Sequence, residues 1–323
     1  MTISITRRLA LTGIAAFTAT GLAIAPIAAQ DYPSGEIEYI VPYNPGGASD
    51  TIARLVAESI FEQTGQRPIV DYKPGAGGAI GANYVAAAEP DGYTIMAGTN
   101  SFFTTIPRLQ PVQYDPETDL IPVAMTGEAV MPLAINPNLP VDTMEELVQY
   151  AREHPGELTF ASSGQGTIGH LTYLYLQERE GIEMLHVPYS GGAEALNALA
   201  SGQVDIGVDT GSAEFILDGQ LKGLAILGPN RWSQLPDVPT IEEAGFPDWG
   251  IRSWHTVLVP GGTPDEVVQE LNTLINTALE SEELVDRLQA FGLNPAIMSV
   301  EEVQGRIARD QEVFLPILDQ AGL

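Results

Sequence analysis

Two stretches of this chain repeat one pattern whose natural chemistry is anion binding. Val41-Pro42-Tyr43 runs through Asn44-Pro45 into Gly46-Gly47, and Val187-Pro188-Tyr189 runs through Ser190 into Gly191-Gly192; each follows a β-rich run and precedes a helix-period segment. Glycines at such a junction let the backbone turn tightly, so that successive N–H groups and the positive end of the next helix converge on one point, which suits a carboxylate or a phosphate. Either loop alone reads equally well as an ordinary strand-to-helix turn. The echo favours two nests facing each other across a cleft. A third run, Pro74-Gly75-Ala76-Gly77-Gly78, is too dense in glycine for packing alone and also opens a helix. A fourth, Ser162-Ser163-Gly164-Gln165-Gly166-Thr167-Ile168-Gly169-His170, adds hydroxyl donors.

Reactive chemistry finds little support. Gly164, Gly166 and Gly169 fit the dinucleotide fingerprint, yet the next strand ends in His186-Val187-Pro188-Tyr189 with no carboxylate to hold a ribose, which disfavours a nicotinamide enzyme. No glycine loop carries Gly-Lys-Ser or Gly-Lys-Thr, and no GxSxG elbow occurs. The four histidines, His154, His170, His186 and His255, are scattered, with no pair at metal-binding helical spacing. His170, just inside a helix behind a glycine- and serine-rich loop, is the one to watch. The chain has no cysteine, which excludes disulfides, thiolate metal sites and a cysteine nucleophile. Asp50 reads as a helix-capping acid. Asp209, at the end of a strand, reads as a group that orients loop N–H donors or meets a ligand hydroxyl. The expectation is therefore a binding protein with no cofactor, no metal and no catalytic residue.

The elements that must position these loops alternate along the chain. Ile37–Val41 reads as a buried strand, and Thr51–Gln63 repeats Ile52, Leu55, Val56 and Ile60 as the stripe of a helix. A second series begins with a helix over 142–153, where Asp142 and Glu145 have capping-box spacing. It continues through strand 158–161, helix 168–179, strand 184–187 and helix 193–201, then strands 204–208 and 224–227. From Pro264 the chain reads as mostly helical. The fold class is α/β, with parallel or mixed sheets built from strand–helix–strand units. Two proline-punctuated stretches, 121–140 and 229–253, separate the series. They predict a discontinuous first lobe of residues 31–125 and 253–323 and a second lobe of 126–252, joined by two crossing strands, with hinges at 124–133 and 251–258.

The first 29 residues read as an export signal: Arg7 and Arg8 precede an apolar run from Leu9 to Ala25, and Ala28-Ala29 offers small residues for cleavage. The paired arginines fit a twin-arginine signal and an ordinary secretory signal alike. Without those residues the chain keeps 12 basic and 42 acidic residues, a balance of −30. That surface has no footing for nucleic acid. Such acidity fits a protein kept soluble in high salt and also a generic acidic exported protein.

The order of these motifs resembles the substrate-binding receptors of the tripartite tricarboxylate transporter family, the Bug family. The resemblance spans essentially all of the chain beyond the signal. It rests on Tyr32-Pro33, Val41 to Asp50, Pro74 to Gly78, Pro90-Asp91-Gly92-Tyr93-Thr94, Ala161-Ser162-Ser163-Gly164, His170-Leu171, His186 to Tyr189, Gly202-Gln203-Val204-Asp205, Val238-Pro239-Thr240, Glu243-Ala244-Gly245 and Ser253-Trp254. It implies a monomeric, two-lobed Venus-flytrap receptor of the type II periplasmic-binding class. Such a receptor closes on a small carboxylate in the periplasm and delivers it to membrane permease subunits. A sensor without transport, or a cleft enzyme, is the alternative. By resemblance, Tyr43, Pro45, Gly46, Gly47, Ala48 and Ser49, with Gly75, Ala76, Gly77 and Gly78, clamp one carboxyl group, partly through waters. Thr99, Asn100, Ser101, Ser162, Ser163, Gly164, Gly166, Thr167, His170, Tyr189, Gly191, Gly192 and Asp209 line the rest. The chain departs from the family pattern at three places. It has Tyr43-Asn44-Pro45 where Phe-Pro-Pro is common, Ser190 where lysine is common, and His255 where another residue is usual. The missing lysine weakens the case for a distal carboxylate contact.

Overall fold

A computed structural model describes residues 32–323, and the export signal expected at 1–29 lies outside the described residues. In chain order the elements are β1 (Glu38–Val41), α1 (Ala48–Thr64), β2 (Ile69–Tyr72), α2 (Ala79–Ala86), β3 (Thr94–Thr99), α3 (Ile106–Leu109), β4 (Leu120–Ala129) and β5 (Pro132–Ile135). There follow α4 (Met144–Glu153), β6 (Thr159–Ser162), α5 (Ile168–Glu180), β7 (Leu185–Pro188), α6 (Gly192–Ala200), β8 (Ile206–Val208), α7 (Ser212–Leu217) and β9 (Lys222–Ile226). The chain closes with β10 (Trp254–Pro260), α8 (Asp265–Ala278), α9 (Glu282–Ala290), β11 (Leu293–Asn294) and α10 (Val300–Gln320).

Two mixed sheets result. One has the order β11-β4-β10-β3-β1-β2, the other β7-β6-β8-β5-β9. The strand–helix–strand units give the parallel pairs, β1 with β2 and β3, and β6 with β7 and β8. Besides the short edge strand β11, antiparallel to β4, the antiparallel strands are those that follow a passage between the sheets. β5 enters the second sheet against β8 and β9, and β10 re-enters the first between β3 and β4. The chain thus passes between sheets twice, over Val130-Met131 and over 227–253.

Local chemistry explains where the elements start and stop. α1 buries Ile52, Leu55, Val56 and Ile60, as their spacing predicts, and ends where Gly65 turns left-handed (φ 73°) and donates to the Phe61 carbonyl at 2.8 Å. The cap of α4 lies one residue later than the sequence spacing indicates. Thr143, rather than Asp142, accepts the Glu146 N–H at 3.1 Å, while the Glu146 carboxylate reaches back to the Asp142 N–H at 2.7 Å. α10 opens with a full capping box between Ser299 and Glu302.

The stretch 121–140, read as the place where a strand crosses between lobes, holds two strands, β4 in one sheet and β5 in the other. β4 tolerates Pro122 because the β10 register slips there, Val257 facing Ala124 and Leu258 facing Pro122. β11 covers the other edge of β4 only at Glu128 and Ala129, so the proline's missing N–H leaves no partner wanting.

Candidate functional site

Three helix N-termini converge on one enclosed cavity, where loops that follow the strands of one sheet meet loops of the other. The first is α1. Its cap residue Gly47 offers no side chain, and the first helical bond runs from Thr51 N–H to the Gly47 carbonyl, so the N–H groups of the first turn are unspent. The loop before it is fixed by Asp50, whose carboxylate accepts from Gly46 N–H (2.8 Å), Arg54 Nε (2.7 Å) and the Tyr72 hydroxyl (2.7 Å). The second is α5, capped by Thr167, whose hydroxyl is turned away to the Gly164 carbonyl at 2.7 Å. The third is α6, which starts at Gly191-Gly192 with no side-chain cap.

The cavity is lined by Gly47, Ala48 and Ser49 from α1, by Thr167, Ile168 and Gly169 from α5, and by Gly192 from α6. Tyr43, Thr99, Ser101, Ser163, Ser253 and Met131 complete much of the wall. It has room for the centres of only a few water-sized molecules, about 60 Å³. The Ser101 Oγ is buried and has no hydrogen-bond partner, so a donor or acceptor stands ready for a guest.

Three ionisable groups besides Tyr43 face this space: Asp50, Asp209 and His255. No lysine or arginine is among the lining residues. Asp209 accepts the Gly211 N–H at 2.9 Å through Oδ1, and Oδ2 presses on Gly192, where an added Cβ would come within 2.4 Å of it. Burial pushes the Asp209 carboxyl up to about 6, against the pull of the Gly211 hydrogen bond. Burial alone lowers the His255 imidazole to about 4; burial, opposed by a Thr99 hydrogen bond and aided by the nearby Asp209, raises the Tyr43 phenol above its ordinary range.

Glycines make the close approach between the loops possible. Gly77 is left-handed (φ 65°), and a Cβ there would lie 2.0 Å from the Gln165 carbonyl oxygen. A Cβ on Gly164 would lie 2.8 Å from the Gly77 Cα. Around them the Thr105 hydroxyl donates to the Gly166 carbonyl, Asn44 N–H to the Ser190 carbonyl (3.1 Å), and Asn44 Nδ2 to Glu194 (2.5 Å).

Of the residues expected around the ligand, Tyr43, Gly47, Ala48, Ser49, Thr99, Ser101, Ser163, Thr167, Gly192 and Asp209 line the cavity. Gly77 and Gly164 form the contact between loops, with Gly75, Ala76, Gly78 and Gly166 beside them. Pro45 and Gly46 are exposed on the outer side of their turn, and Gly191 packs on Asn44. Tyr189 donates its N–H to the Ser162 carbonyl at 3.0 Å. Asn100 faces away, donating to Asp310 of α10 at 2.6 Å. Ser162 and His170 stand behind the fourth loop. The Ser162 hydroxyl bonds His186 Nε2 (2.7 Å), His170 Nδ1 accepts the Gly166 N–H (3.1 Å), and the two imidazoles stack with centroids 4.1 Å apart.

Sequence reasoning did not place Met131, Thr210 or Ser253 in the wall; Asp50 it read as a cap, and His255 it noted only as a departure from the family pattern. Ser253 belongs to the Ser253-Trp254 motif, which His255 follows, and Thr210 adjoins Asp209. Met131 carries no sequence signal, because only the passage between sheets brings it there.

The profile of the tripartite tricarboxylate transporter family receptors matches residues 52–323. The chain is 34% identical to Protein BugT of Bordetella pertussis over 323 residues, covering 99% of this chain and 98% of BugT. Among solved structures it resembles a Rhodopseudomonas palustris protein determined with adipate (35% identity, TM-score 0.85, 90% of this chain and 99% of that one). It also resembles MatC of Rhodopseudomonas palustris with bound malate (30% identity, TM-score 0.80, 87% and 99%).

Proposed function

We propose that this chain, which belongs to the tripartite tricarboxylate transporter receptor family, closes on a small organic carboxylate outside the cytoplasm and presents it to integral-membrane permease subunits. The carrying observation is the cavity itself: three uncapped or glycine-capped helix N-termini and a buried, unpartnered serine hydroxyl meet in a space with no cationic side chain. Backbone N–H groups and helix ends hold an anion without a counter-ion of their own. The adipate and malate found in two relatives are guests of that kind. The ligand leaves unchanged, since the wall offers donors and not an activated nucleophile.

In this reading the lobes are residues 31–125 with 253–323, and 126–252. They hinge at 124–133 and 251–258, and the protein works as a monomer. Closure brings Gly77 against Gln165 and Gly47 near Gly192, and so completes the carboxylate clamp from both sides.

Thermal unfolding of residues 30–323 against a carboxylate panel tests this. Ligand at about a hundred times its dissociation constant stabilises by roughly 2.7 kcal/mol, which raises the melting temperature by several degrees. A shift with one class of acid supports the receptor and names its ligand. A cooperative melt that no carboxylate shifts refutes it.

A second expectation follows from charge. A balance of −30 without the signal repels anions at long range, whereas the N–H donors act only at contact. Salt screens the former beyond about 8–10 Å, so ligand association should accelerate as salt is added. Stopped-flow rates that fall with ionic strength would count against this.

A further inference from the structure

We infer that His255 is the residue that meets the second carboxylate of a dicarboxylate guest, which binds together with one proton taken up by the imidazole. The inference rests on the carboxylate reading above and deepens it. One carboxylate is answered by the helix N-termini and the Ser101 hydroxyl. A second would meet a wall without lysine or arginine, already holding the Asp50 and Asp209 carboxyl groups. Among the lining side chains only His255 can become a cation.

Geometry places it for that role. His255 lies on β10 between Thr99 of β3 and Gly127 of β4, is 6% exposed, and faces the cavity. Neither ring nitrogen is hydrogen-bonded among the described residues, and neither is sealed from the cavity. An imidazole held against the cavity without a protein partner gains when a guest supplies one. In the ligand-free cavity burial keeps it neutral, and a carboxylate set against it in the same desolvated space favours the imidazolium. The step is a protonation only: one ring nitrogen binds a proton from solvent and donates N–H to the carboxylate, and no bond of the ligand breaks.

The other charged groups around it are engaged. Asp50 is saturated by Gly46, Arg54 and Tyr72. Behind the sheet, Glu128 of β4 pairs with Arg306 of α10 at 2.7 Å, and Asp310 of α10 accepts from Trp254 and Asn100, each at 2.6 Å. On α2, Tyr84 turns to Glu38. β3 presents only Thr99 and Gly98 to this part of β10. Tyr43, its phenol raised by burial, stays neutral and leaves Asp209 as the competing proton acceptor in the cavity.

Calorimetry in two buffers of different ionisation heat separates these cases, with succinate, malate and adipate as dicarboxylates and butyrate as the single-carboxylate control. Dicarboxylates should bind with uptake of about half to one proton near pH 6 to 7, their affinity rising by up to roughly tenfold for each unit the pH falls. Butyrate should bind without uptake. His255→Gln should abolish the uptake and weaken dicarboxylates about tenfold or more while sparing butyrate, and Asp209→Asn should retain the uptake. Dicarboxylate binding without proton uptake overturns the inference, and that measurement needs no variant. So does uptake that survives in His255→Gln, which would place the proton on Asp209 or on the ligand, and so does binding of butyrate but of no dicarboxylate. If no acid binds at all, the carboxylate reading falls and this inference with it.

Discussion

Gly77→Ala is expected to weaken carboxylate binding by roughly a hundredfold or more, because a methyl there overlaps a backbone atom that cannot move aside. The added Cβ would lie 2.0 Å from the Gln165 carbonyl oxygen, and Gly77 already holds a left-handed φ of 65°. Backbone relief is available only by keeping the loops apart, which in the two-lobed receptor proposed above is the open state. The ligand-free protein escapes the overlap by opening and bears only the left-handed strain, about 1–2 kcal/mol. Its melting temperature should therefore fall by only a few degrees.

Gly65→Ala is the matched control. Gly65 has φ 73° with no heavy atom within 4 Å of a Cβ, so it carries the same backbone strain without the overlap. Calorimetry should find Gly65→Ala close to the parent in affinity and Gly77→Ala far below it. Equal affinities in the two variants would show that closure does not depend on this contact.

Acid should unfold the ligand-free protein through its buried imidazoles. Burial lowers His170 to about 3 and His186 and His255 to about 4, and the neighbouring His186 also lowers His170. Against an unfolded value near 6.5, the folded state binds fewer protons than the unfolded one between about pH 4 and 6.5. Their stabilisation is therefore complete above about pH 6.5 and is lost as the pH falls toward the folded values. The buried carboxyls Asp209, raised to about 6, and Asp310, also raised by burial, act with the opposite sign and recover part of the loss.

His186 keeps some contact with solvent and counts for less. The net loss between pH 7 and pH 5 should be on the order of 3 kcal/mol, or a melting temperature lower by roughly 5–10 °C. The measurement belongs in high salt, which screens the repulsion among surface acids that changes over the same range. A melting temperature that stays level from pH 7 to 5 would sink this account. The stacked pair bears on the site as well. Protonated His170 can no longer accept the Gly166 N–H, so acid should loosen the fourth glycine loop first.

What the sequence determined by itself is the local grammar. The α/β alternation was legible because strand and helix periodicities are set by neighbouring residues, and α1 buries the stripe that its spacing predicts. The glycine loops were legible because only glycine permits the tight turns from strand to helix, and three of those turns now open helices that face one cavity. Local signals were coarser at the ends of elements. The cap of α4 fell one residue late because Thr143 and Asp142 are both competent and the position of Glu146 chose between them.

Tertiary structure decided the rest. The crossing strand expected in 121–140 became two, because β10 arrives from far along the chain to pair with β4 while β8 and β9 flank β5, and no local pattern encodes those partners. Asn100 and Ser101 are adjacent and both polar, yet one turns to Asp310 of α10 and the other keeps a free hydroxyl on the cavity. From the sequence His170 is the histidine to watch, and His255 stands out only as a departure from the family pattern. The fold spends the first on a loop N–H and leaves the second unpaired against the binding space, because β10 carries it between Thr99 and Gly127, where only a ligand can meet it.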